Sequence, residues 1–83
     1  MMESKREVGK VAHFFPKISV AIIELKAPIA VGDKITIAGA TTRLEQVVQS
    51  MEVEHKAVKS ARGGQSIGLK VVGKVRESDV VYK

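Results

Sequence analysis

The sequence has no cysteine and no tryptophan, and its aromatic residues are limited to Phe14, Phe15 and Tyr82. Without cysteine there is no disulfide framework, no thiolate nucleophile and no Cys-based zinc site. Proline occurs only at positions 16 and 28. The longest apolar run, residues 18–23 interrupted by Ser19, is far shorter than the roughly 20 residues a membrane helix needs, so no membrane partner is expected. The first seven residues carry charges of both signs with no apolar stretch behind them, so no secretory signal and a cytoplasmic location are expected. No Gly-x-x-x-x-Gly-Lys-Ser/Thr occurs, so GTP binding by a P-loop is excluded. The two histidines, His13 and His55, are far apart and neither has partners at ligand spacing, so no metal or other cofactor is expected. Ser19, Ser50, Ser60, Ser66 and Ser78 lack a nucleophile-elbow context, and no enzyme activity is expected.

What the chain does have is β-branched bulk. Of its 83 residues 45% are hydrophobic, with 13 valines and 7 isoleucines against 3 leucines. That bias suits pleated, half-buried strands. Runs at 8–15, 19–25, 35–37, 44–53, 67–72 and 79–82 read as strands, with Ile35 and Ile37 on one face and Lys34 and Thr36 on the other. In the run 44–53, Val47, Met51 and Val53 share a parity that Val48 breaks, which predicts a bulge or a central twist near Gln49-Ser50. Ala57, Val58 and Ala61 sit at near-helical spacing, so 56–62 predicts a single helical turn or a crossing loop. Pro16, Pro28, Gly32-Asp33, Gly39 and Gly63-Gly64 mark the turns between strands. The expected organisation is a flexible charged N-terminus over 1–7 and one all-β domain over 8–83. A small closed barrel of about six strands removes the exposed edges that such a chain would otherwise present.

Fourteen Lys and Arg against nine Asp and Glu leave a net charge of +5, which favours polyanionic partners such as RNA. Successive strand side chains point to opposite faces, so one ring of Phe14-Phe15 is expected to pack and the other to be exposed, where it could stack on a base. His13, beside Phe14, is expected to pack, and His55 to be a solvated tip. The candidate RNA-binding residues are Lys10, Phe15, Lys17, Arg43, Arg62, Lys70, Lys74 and Arg76.

The succession Val8-Gly9-Lys10-Val11, Val31-Gly32-Asp33-Lys34-Ile35, Arg62-Gly63-Gly64-Gln65-Ser66-Ile67 and Arg76-Glu77-Ser78-Asp79-Val80 resembles the second domain of translational GTPases of the elongation factor Tu and initiation factor type. It is also similar to the small barrel at the C-terminus of collagenase-like peptidases. The resemblance implies a closed Greek-key barrel. Two residues depart from the family pattern: Gln65 where an acid is usual, and Ser78 where glycine is common. The expectation is a stand-alone, non-catalytic module binding RNA or a ribonucleoprotein such as the ribosome. The alternative is an accessory module that docks on a separate enzyme through exposed apolar residues, with Phe15, Ile18 and Met51 as candidates.

Overall fold

Residues 6–83, the part of the chain that the computed structural model describes, form ten strands and no helix. The strands are β1 (Glu7–Phe15), β2 (Val20–Leu25), β3 (Ile29–Ala30), β4 (Lys34–Ala38), β5 (Arg43–Val47), β6 (Met51–Val53), β7 (Lys56–Val58), β8 (Ser60–Ala61), β9 (Ser66–Lys70) and β10 (Val80–Tyr82). Eight of them form one antiparallel sheet in the order β5-β4-β10-β1-β2-β9-β6-β7, and β3 pairs with β8. The inner face of the sheet carries the β-branched residues: Ile23, Ile35, Ile37, Leu69 and Val81 are fully buried. Burying each such side chain contributes about 1.5–3 kcal/mol. None of the described residues lies in a helix long and apolar enough to cross a membrane.

The sheet curls until its distant strands meet, and one side chain spans the gap. Gln46 on β5, first in the strand order, donates its Nε2 hydrogen to the carbonyl of Lys70 on β9 at 2.9 Å. Its Oε1 accepts from the Val72 amide at 3.0 Å. The carboxamide thus takes the place of a peptide group in the ladder, and the residue is buried. Elsewhere the backbone closes the structure: Val31 N–H donates to Lys59 O, and Gly32 and Asp33 pair with Val48. Arg6 and Lys83 exchange both backbone hydrogen bonds, so the first and last described residues lie side by side.

Three turns share one construction. In Ala30-Val31-Gly32-Asp33, Arg62-Gly63-Gly64-Gln65 and Arg76-Glu77-Ser78-Asp79, the first residue's amide donates to the fourth residue's side-chain oxygen, at 2.8, 2.9 and 2.8 Å. The fourth residue's amide returns a bond to the first carbonyl. The third residue has positive φ in each, 100° at Gly32, 89° at Gly64 and 76° at Ser78, as a type II turn requires. Gln65, which departs from the acid of the resembled family, supplies the same acceptor. Ser78 sits where glycine would be unstrained.

Several expectations are corrected. The run 44–53 is two strands, β5 and β6, separated at 48–50, because Val48 and Met51 both point inward and no single pleat can place them there. The bulges lie instead in β1. Residues 56–62 form β7 and β8, with neither a helical turn nor a plain loop, since each finds a strand partner in β6 or β3. Thr36 is buried although it faces away from Ile35 and Ile37, because it is flanked in register by Tyr82 and Glu45. Of the expected flexible tail, residues 1–5 lie outside the described residues, whereas Arg6 is paired and Glu7 belongs to β1.

Two stability outcomes are expected. Gln46→Ala leaves the Lys70 carbonyl and the Val72 amide without their partner and lowers unfolding free energy by about 2–3 kcal/mol. Ser78→Gly relieves the left-handed backbone and raises it by about 0.5–1 kcal/mol. Urea titration followed by circular dichroism measures both.

Candidate functional site

An extra residue in β1 decides which side chains reach the surface. Val11 pairs with Ile23 and His13 with Ile22, so Ala12 is bulged out and the inside-outside parity shifts. Phe14 then turns inward opposite Ala21 and packs against the core, while His13 and Phe15 turn outward opposite Ile22 and Val20. The expectation that one ring packs and one is exposed therefore holds. His13, expected to pack, is exposed instead, because the bulge moves it to the outer face. Its Nδ1 lies 2.9 Å from Glu77 Oε2, and its ring meets Phe15 edge-on at 4.5 Å.

Outward residues of four neighbouring strands form a groove of about 640 Å³. Its floor comes from Val20 and Ile22 of β2 and from Gly68 of β9, which lies opposite both Ile22 and Glu52. Gly68 has no side chain, and that is what hollows the floor. One bank is the turn after β1, where Phe15 is 42% and Ile18 is 58% exposed. The opposite bank is the β6–β7 hairpin, whose two-residue loop is Glu54-His55, with φ of 51° and 67°. A tight hairpin of this kind requires positive φ at both positions, which asparagine and glycine adopt at lower cost. Ser19, between Ile18 and Val20, has φ 56°. Strained backbone therefore flanks the groove at both ends. Its charges are mixed: Lys70, whose ammonium donates to the Ile18 carbonyl at 3.3 Å, lines it together with Glu52 and Glu54.

Of the sequence candidates, the fold brings Phe15 and Lys70 into this groove, with Lys17 in the turn beside Ile18. The others lie on separate elements. Lys10 stands opposite Glu24 on β1, Arg43 opens β5, and Arg62 begins a turn. Lys74 and Arg76 lie in the connection to β10. Among the docking candidates, Ile18 and Phe15 are exposed, but Met51 points inward and is 1% exposed. Sequence reasoning missed Val20, Ile22 and Gly68. The run 18–23 is apolar on both faces, so its period reveals no outer stripe.

A second, polar cleft of about 430 Å³ runs between the turns 30–33 and 62–65. Lys83 Nζ lies 2.9 Å from Asp33 Oδ2 there, and Arg62 and Gln65 line the opposite side. The Lys83 ammonium, hydrogen-bonded to the carboxylate, holds Asp33 below the ordinary aspartate range. Partial burial opposes this, and the Ala30 amide adds to it. Among the described residues no group of three or more His, Asp or Glu is placed to hold a metal ion.

No family model matches the chain. It is 47% identical over 79 residues to an uncharacterized protease of Methanocaldococcus jannaschii, covering 94% of this chain and 19% of that protein. It is 37% identical over 81 residues to a collagenase of Porphyromonas gingivalis, covering 95% of this chain and 22% of that one. The chain thus spans about a fifth of the length of the curated relatives it matches. Two crystal structures of the C-terminal domain of a protein assigned as a U32 peptidase, from Geobacillus thermoleovorans, superpose on it. Their TM-scores are 0.89 and 0.85, each at 20% identity. The first match covers 94% of this chain and 99% of that domain, the second 98% and 96%. These structures share the small all-β barrel fold. The relatives carry the peptidase half of the resemblance seen in the sequence, and none of them is a translational GTPase.

The Asp33–Lys83 pair makes a small part of the stability sensitive to acid. Because the folded carboxyl is depressed, its contribution is fully present above the unfolded value, near pH 4, and is lost as pH falls through the lower folded value. The D33N variant is expected to show a flatter stability profile than the parent below about pH 4, measured by urea unfolding at a series of pH values.

Proposed function

We propose that this chain is a non-catalytic accessory module of a collagenase-like protease, docking through the groove between the Phe15–Ile18 bank and the β6–β7 hairpin. The observation that carries this reading is the match of nearly the whole chain, at 47% identity, to about a fifth of a protease. The geometry fits the role. Exposed aromatic and aliphatic side chains around an apolar floor are what a docking surface needs, and the groove offers one base against two carboxylates. Of the candidate bases for RNA binding only Lys70 lines this groove, which suits a docking role there.

The test uses this protein and the archaeal relative with its matching segment deleted. Co-elution of the two on size-exclusion chromatography is expected, with association weakened at least tenfold by I18D, since one buried apolar contact replaced by a charge costs about that much or more. The chain alone is expected to leave gelatin uncut. Absence of any association sinks the proposal. An association with structured RNA that weakens steeply between about 50 and 300 mM salt, with a slope reduced by neutralising Lys70, Lys74 and Arg76, would replace it by the nucleic-acid reading.

A further inference from the structure

The groove is asymmetric in charge, and that asymmetry says what fits it. Its floor is apolar at Val20, Ile22 and Gly68. One bank carries Phe15 and Ile18, and Lys70 is tied to that bank by its bond to the Ile18 carbonyl. The other bank presents Glu52 and Glu54, both exposed, and neither has an ion-pair partner among the described residues. Two unpaired carboxylates beside an apolar floor repel phosphate and attract a cation that arrives together with an apolar group. The Glu54-His55 loop and Ser19 hold left-handed backbone at either end of this surface.

We infer that the groove binds an extended polypeptide segment that places an aliphatic or aromatic side chain on the floor beside Gly68 and a lysine or arginine against Glu52 and Glu54. An extended chain suits the site because its alternate side chains point to opposite sides, so one residue enters the floor while a same-face neighbour about 7 Å along reaches the hairpin. This inference names the kind of segment recognised by the docking groove and rests on the docking role proposed above. The segment belongs to the body of the protease on which the module docks.

The probes are two ten-residue peptides with identical apolar residues, one carrying two lysines and the other two glutamates, titrated into the isotope-labelled full chain and followed by amide chemical shifts. The lysine peptide is expected to shift Ile22, Ser66, Gly68 and the β6–β7 hairpin, and to bind about tenfold more tightly than the glutamate peptide at low salt. The double variant E52K/E54K is expected to reverse that preference, and I18S to weaken both peptides. All three positions are exposed, and unchanged amide dispersion elsewhere verifies the fold. Equal binding of the two peptides, shifts centred away from the groove, or no reversal in the double variant would overturn the inference. So would the same shifts on concentrating the protein alone, with a dimer in sedimentation, because a second copy would then be the occupant. A protein that fails to take the lysine peptide yet still co-elutes with the truncated protease loses this inference and keeps the docking role.

Discussion

A curled sheet of eight strands must be held in its curl, and in this protein the paired hydrogen-bond groups of one buried carboxamide on β5, the first strand, reach across to the end of β9. Gln46 carries a donor and an acceptor about a peptide's width apart, so it satisfies the Lys70 carbonyl and the Val72 amide together. The wall that includes β2, β9 and β6 is thereby fixed in curvature, and the outward residues of that wall form the groove. An apolar residue at position 46 would leave both backbone groups buried and unpaired, a cost that scales with each orphaned partner. The groove's shape therefore depends on a residue that points away from it.

Much of the architecture was legible in the sequence. Alternating Val and Ile, interrupted by Gly and Pro, locate β1, β2, β4, β9 and β10 closely, and the same bias predicts the all-β class. The short elements were not legible, since β3 and β8 are two residues each and carry too little pattern to show a period. The site was less legible still. Which of Phe14 and Phe15 faces solvent depends on the bulge at Ala12, and a bulge inside a continuous strand leaves no composition signal. His13 follows the same logic, moved outward by one extra residue. Met51 is a sequence candidate for the contact surface, yet the break at 48–50 resets its parity and buries it. Gly68, the floor of the groove, reads in sequence as an ordinary strand glycine.

The three like turns show which chemistry each position of the turn requires. What each turn needs at its fourth position is an oxygen that reaches back three residues, and a glutamine meets that need as well as an aspartate. What it needs at the third is left-handed backbone, which Ser78 supplies under strain. Against the peptidase domain the path of the chain is preserved at a TM-score of 0.89 although sequence identity is 20%.

The backbone pairing of Arg6 with Lys83 also has a geometric consequence for any larger polypeptide that carries this barrel. Such a chain enters and leaves through a single doorway, so the barrel hangs from it like a lantern on one hook. From that hook β1 runs nine residues to Phe15, a distance of roughly 25 Å. The Phe15–Ile18 bank of the groove therefore stands far from that attachment, while Ser66 brings the groove's other end next to the turn 62–65 that lines the cleft with Lys83.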